Sequence, residues 1–217
     1  MSSFLLLTCF SLTFVFWLLA QKTSPRMLTM KILLNVCCAP DATHTINALC
    51  EAGYEPVTFF YNPNIHPRDE YHKRVEDMKK LAANTNTENI EGVAYDIEEW
   101  FKLCKPFAKE PERGKRCEVC FRMRMEKTAE KAKDLGIEIF ATTLTISPHK
   151  DTALINRLGK EAAEKYGVKY YESNFKKQDG FKKSLVLSKE HDLYRQDYCG
   201  CSYSLLDRLK HKRGQCC

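Results

Sequence analysis

The sequence predicts an α/β fold, with one parallel sheet and helices on both of its faces. Three observations carry this. Short apolar runs of strand length alternate with longer segments whose apolar residues recur at helical spacing. Glycine and proline fall at the joints between them. The 217 residues are enough to bury one sizeable core without disulfide support. Alternation of this kind gives a doubly wound sheet with right-handed crossovers.

The elements follow in order. Lys31 to Val36 is an apolar run that ends directly at Cys37-Cys38, the pattern of a buried parallel strand. Pro40-Asp41 opens a helix to about Cys50, with Asp41 expected as its N-cap or in its first turn. Gly53 stops that helix, and Pro56 to Tyr61 is expected as the second strand. Pro67 begins a long helix to about Ala83, with Tyr71, Val75, Met78 and Leu81 at core spacing. Ile90 to Tyr95 is the expected third strand and Ile97 to Cys104 a short helix. A further helix starts around Cys117 and runs to Leu135, where Gly136 ends it. Ile137 to Leu144 is the fourth strand, Asp151 to Tyr166 a helix stopped by Gly167, and Val168 to Glu172 the fifth strand.

Three cysteine pairs carry the chemistry: Cys37-Cys38, Cys117-x-x-Cys120 and Cys199-x-Cys201. Each lies beside a turn signal: Ala39-Pro40-Asp41, Arg113-Gly114 and Gly200. Thiolates gathered from separate stretches suit a soft metal or an iron–sulfur cluster. Spacing alone leaves other readings open: unrelated buried thiols, a thioredoxin-like CxxC, or a zinc site using four of the six. Asp41, three residues after Cys38, could reach the same metal or serve as an ordinary cap. Topology places Cys37-Cys38 and Ser147-Pro148-His149 just beyond strand ends, where such sheets bind ligands. The CxxC heads a helix, whose N-terminus favours thiolates. The pairs are therefore expected to converge on one edge of the sheet. Cys9, Cys50, Cys104, Cys216 and Cys217 lack such contexts and read as structural or incidental.

Charge narrows the partners little. A net charge of +6 permits nucleic-acid binding without demanding it. Arg116, Arg122, Arg124 and Lys127 alternate with Glu118, Glu126 and Glu130, which suits a solvated helix face, while four basic residues fall between Arg208 and Arg213. No phosphate-binding loop follows the first strand, so ATP chemistry is not expected. Phe4 to Ala20 is apolar and reads as a signal peptide, a short anchor, or residues upstream of a true start at Met27 or Met30. Residues 1–26 are therefore set apart as an extension, and 27–217 as a single metal-cluster domain. Thiolate ligands need a reducing space, so a cytoplasmic protein is expected and a membrane role is not.

Several stretches together resemble the QueH-type epoxyqueuosine reductases. They are LLNVCCAPD (33–41), FYNPNIHPRDEYHKR (60–74), ERGKRCEVCFRMRMEKTA (112–129), TTLTISPHK (142–150) and YRQDYCGCSYS (194–204). The resemblance implies a Rossmann-like fold similar to the adenine-nucleotide hydrolase and PP-loop group. It implies removal of the epoxide oxygen of epoxyqueuosine at the tRNA wobble position, without ATP. It also implies a [4Fe–4S] cluster beside a second mononuclear metal, expected to be iron, and a ferredoxin- or flavodoxin-like electron donor. Cys38, Cys117, Cys120 and Asp41 are expected on the cluster, Cys199 and Cys201 on the second metal, with Cys37 shared. A disulfide bond is expected with no pairing assigned. Asn62, His66, Arg122 and Arg195 are expected to meet substrate. Asp41, His66, Tyr198 and metal-bound water remain equal candidates for the proton donor. The alternative is a zinc-binding or thiol–disulfide module without reductase chemistry.

Overall fold

A computed structural model describes residues 29–91 and 94–214. The central strand β1 (Met30–Asn35) is buried from Ile32 onward. Its period-two alternation sends Ile32 and Leu34 into one core and Leu33 into the other. Parallel to it lie β2 (Tyr54–Phe59) on one side and β4 (Ile139–Thr142) on the other. The edges are β3 (Glu88–Ile90) and β5 (Lys169–Tyr170), giving the order β3-β2-β1-β4-β5 with every pairing parallel. The chain winds outward in both directions from β1, as expected. The change of direction opens a crevice at the carboxyl end of β1.

Helices α1 (Ala39–Glu51) and α2 (Arg68–Thr85) cover one face with Ile46, Leu49, Met78 and Leu81. On the other face, α4 (Lys115–Asp134) and α5 (Thr152–Tyr166) bury Phe121, Met125, Ile155 and Leu158. Each such side chain contributes about 1.5–3 kcal/mol when fully removed from water. Helix α3 (Ile97–Cys104) buries Trp100 and Cys104 against α4.

Several expected boundaries shift, each for a local reason. The third strand ends at Ile90 and does not reach Tyr95. Tyr95 leaves the sheet to stack on Tyr71 at 4.2 Å and to donate its hydroxyl to the Ile65 carbonyl. The fourth strand stops at Thr142, whose hydroxyl accepts from Leu144 N at 3.2 Å and caps a 3-10 turn over Thr143–Ile146. Two helices have no counterpart in the sequence reading: α6 (Gly180–Glu190) and α7 (Ser202–Gly214). Among the described residues no helix is long and apolar enough to cross a membrane. The apolar run Phe4–Ala20 and the expected boundary at residue 26 lie outside the described residues.

Candidate metal centre

β1 delivers the first pair. Its apolar register ends at Asn35, and the chain turns through Cys37 and Cys38 into α1, where Cys38 takes the N-cap position in extended backbone. Asp41 stands in the first turn of α1 and makes no capping bond. It is buried, and its side chain faces the thiols instead. Cys37 Sγ lies 3.8 Å from Cys38 Sγ and 3.4 Å from Asp41 Oδ2. Donor atoms of these three residues all fall within 4.8 Å of one another. Thr143, just past β4, locks the turn by accepting from Cys37 N at 3.1 Å and donating to Cys37 Sγ at 3.2 Å. Gln196 reaches in from the carboxyl-terminal segment to donate to Cys38 Sγ at 2.9 Å.

The second pair is set by the start of α4. Gly114 is its N-cap, Cys117 N donates to Gly114 O at 2.9 Å, and Arg113 N donates to Cys117 Sγ at 3.3 Å. Cys120 is buried one turn later with Trp100, Cys104 and Cys201. Cys104, read from sequence as incidental, is therefore wholly buried beside two of the six paired thiols. The third pair comes last in the chain: Cys201 Sγ accepts from Ser204 N at 3.4 Å at the head of α7.

The surroundings favour the thiolate at Cys37 and Cys199 and disfavour it at the other four paired cysteines. The Cys38 thiol donating to Cys37, aided by the Lys150 and Arg124 cations, holds the Cys37 thiol well below its ordinary range. The same contact and burial push Cys38 up. A thiol contact from Cys201, aided by Lys150, brings Cys199 down to about 6, while Cys201 is raised. Burial raises Cys117, and it raises Cys120 to about 11. Burial, then the charge on Cys37, raises the Asp41 carboxyl to about 7, so Asp41 and Cys37 compete for one proton. A metal cation would displace these protons and relieve the crowding of negative charge. The donor set, six thiols with one carboxylate, suits a soft or borderline transition metal, or a cluster, better than a hard cation.

A cavity of about 860 Å³ opens over this centre, with Cys37, Asp41, Arg124, Lys150, Arg195 and Cys199 in its wall. Asn62 also lines it; its amide nitrogen donates to Val36 O at 2.8 Å and leaves its buried oxygen without a partner. Arg195 stacks on Phe181 at 5.2 Å with one guanidinium nitrogen buried and unpaired. His66 is absent from the cavity wall. It is buried between Trp100 and Phe101, with ring centroids 5.3 and 4.9 Å away, and its Nδ1 is 2.6 Å from Asn64 O. Arg122 is also outside, bonded to Glu161 at 2.6 Å on the solvent side of α4. Tyr198 lines the cavity, but its hydroxyl is committed to the His66 carbonyl.

The sequence reading put Arg116 and Arg124 on a solvated helix face and did not mark Lys150, yet both arginines are buried, and Arg124 and Lys150 line the cavity. Helical spacing could have found Arg124, which follows Cys120 by one turn and shares its buried face, whereas Arg122 points away. Lys150 carried no such signal. Among the described residues its ammonium has no hydrogen-bond or ion-pair partner, and the charges of Cys37, Cys199 and Asp41 hold its pKa above the ordinary value against burial. The eight described cysteines are free thiols, so the expected disulfide is not formed among them. Of the expected ligands, Cys37, Cys38 and Asp41 form one compact set. Cys120 and Cys201 pack together in another.

Known proteins resemble this chain over most of its length. The family model described as Epoxyqueuosine reductase QueH matches residues 32–207. The chain is 42% identical over 192 residues to the epoxyqueuosine reductase QueH of Thermotoga maritima, covering 84% of this chain and 97% of that protein. It is 43% identical to the Haemophilus influenzae protein of the same name, over 83% of this chain and 74% of that one. For the Streptococcus pyogenes protein the figures are 41% identity, 80% and 69%. Matches of this extent, spanning all three cysteine pairs, show that the chain belongs to the epoxyqueuosine reductase QueH family.

Proposed function

We infer that the chain is an oxidoreductase that reduces epoxyqueuosine to queuosine in tRNA, and that it does so on a metal centre built from Cys37, Cys38, Asp41, Cys117, Cys120, Cys199 and Cys201. One observation carries the reading: Cys37, Asp41 and Cys199 border a single cavity at the carboxyl end of β1, in a chain of this family. The compact set Cys37, Cys38 and Asp41 suits a single ion, iron in this reading, and the CxxC with the CxC suits the [4Fe–4S] cluster. A bound cluster and metal supply the two electrons that no side chain provides.

The protein's own groups do the rest. Converting an epoxide to an alkene breaks two C–O bonds and sends the oxygen off as water with two protons. Lys150 holds a proton at its ammonium beside Cys37 and Asp41, where the leaving oxygen would sit. Asn62 and Arg195, which also line the cavity, orient the modified nucleoside. An anticodon-loop base can be splayed out of its stack to enter such a cavity. Arg113, Arg208 and Lys210 at the rim suit the flanking phosphates, which position without reading sequence. His66 and Arg122 act at one remove, the first in packing and the second in tying α4 to α5. Electrons come from a ferredoxin- or flavodoxin-like protein, ATP takes no part, and the reducing requirement places the reaction in the cytoplasm.

The test is direct. Anaerobically loaded protein, given a chemical reductant and tRNA carrying epoxyqueuosine, should yield a nucleoside lighter by one oxygen atom on mass analysis. A loaded protein that leaves the nucleoside unchanged would overturn the assignment.

A further inference from the structure

The Cys199-Gly200-Cys201 turn belongs to no strand and runs straight into the head of α7. Its position relative to the other pairs is nonetheless fixed by contacts from far along the chain. Arg74 projects from α2 with its side chain only 3% exposed. One end of its guanidinium is held by Glu70, with Nε donating to Oε1 at 2.7 Å. The fork then reaches the carbonyls of Cys199 and Tyr198, each at 3.4 Å. The loop before α2 closes the other side: His66 N donates to Gly200 O at 2.7 Å, and Tyr198 donates its hydroxyl to His66 O. Gly200 sits at φ +111°, and a Cβ there would meet Arg74 Nη1 and Ile65 Cγ1 at 3.1 Å. That conformation is open to glycine alone at low cost. Upstream, Tyr194 is tied to the same helix through Asp77 at 2.8 Å and Glu70 at 3.2 Å.

We propose that Arg74 is a positioning residue that clamps the Cys199-Gly200-Cys201 turn onto α2 and the His66 loop, so that the third cysteine pair stands ready before metal arrives. A planar guanidinium can bridge Glu70 and two carbonyls at once, whereas an ammonium is a point charge without that fork. Preorganising a loop in its bound geometry removes an ordering cost from ligand binding. Burial of the Arg74 guanidinium costs energy, which the Glu70 pair and the two carbonyls of the turn offset. The inference deepens the metal-centre reading, but its test uses metal-free chain, so the two can fail separately.

The experiment is amide hydrogen exchange, with thiol-reagent labelling of Cys199, on reduced metal-free protein. In Arg74→Gln, peptides covering residues 194–204 should exchange tenfold faster or more, and Cys199 should label faster. Peptides covering β1 and the Cys37-Cys38 turn should stay as in wild type. Arg74→Lys should resemble Arg74→Gln, and Tyr198→Phe should show a smaller change in the same peptides. The two milder variants keep the test open if Arg74→Gln does not fold. Wild-type exchange in Arg74→Lys would mean that charge alone suffices and would overturn the clamp. Equal acceleration across all peptides would assign Arg74 to general stability and would overturn it too.

Discussion

The two halves of the proposed metal centre are built in opposite ways. Cys37, Cys38 and Asp41 lie within five consecutive residues, on a strand–turn–helix unit whose backbone is fixed by the sheet. Their spacing follows from local geometry: Cys38 caps the helix, and Asp41 returns one turn later to the same side. Cys199 and Cys201 lie on a segment without regular structure, held by Arg74 and His66 more than a hundred residues away. The first half is a product of local folding. The second exists only once the domain has closed, so its geometry depends on long-range contacts that carry loop-closure entropy. The CxxC stands between them, local in its helix but packed through Cys120 against Cys201.

This contrast can be broken at several points. The largest effect is expected from Cys120→Ala, which removes the thiol that packs against the third pair. Anaerobic protein should lose its brown colour and nearly all acid-labile sulfide. A full cluster retained in that variant would remove Cys120 from the centre. Next, Lys150→Met should keep iron content yet slow single-turnover reduction about a hundredfold, the scale of a lost general acid. Equal rates in the two proteins would move the proton source elsewhere. Asp41→Asn should retain the fold but weaken iron retention about tenfold or more against a chelator, a scale seen when metal-site support is lost.

Stability against pH separates the halves by sign. Asp41 is raised from 3.8 to about 7 on folding, so its favourable contribution is complete below pH 4 and is lost as pH rises through 7. Cys199 is lowered from 9.0 to about 6, so its contribution is present above pH 9 and lost as pH falls through 6. In reduced metal-free protein, the stability difference between wild type and Asp41→Asn should therefore fall with rising pH. The difference between wild type and Cys199→Ser should rise with it. Each change is on the order of 4 kcal/mol at most, since one pKa unit is about 1.4 kcal/mol. Slopes of the same sign in denaturant titrations at pH 5, 7 and 9 would contradict this. The smallest effect is expected from Arg122→Gln, where activity should change less than twofold, because exposed ion pairs contribute about 0–1 kcal/mol. A larger loss, with tRNA affinity reduced, would return Arg122 to the substrate surface.

The same contrast explains what could be read in advance. The sheet, its doubly wound winding and all three cysteine pairs were legible, because apolar period, proline and glycine placement, and close cysteine spacing are local signals. Helices α6 and α7 were not, because their faces bury little: Val186 and Leu206 are more than half exposed, and propensity had no apolar stripe to support it. Tyr95 was misplaced in a strand because nothing nearby shows that its ring is wanted by Tyr71. His66 was expected to meet substrate from a polar loop, yet Trp100 and Phe101, remote in sequence, pack against it. Arg74 was silent for the same reason: as one basic residue on an amphipathic helix it looks solvated until the last cysteine turn closes over it.

The central claim is that three cysteine pairs and Asp41 form one iron-bearing centre. Iron, zinc and acid-labile sulfide should be counted per chain in full-length protein purified without oxygen, beside Cys117→Ala prepared in the same way. The account predicts a brown wild-type protein carrying sulfide and more iron than sulfide, because a second ion accompanies the cluster, and a variant stripped of both. A colourless wild-type protein that holds zinc alone, with no sulfide, would contradict it and leave the thiols to a structural site.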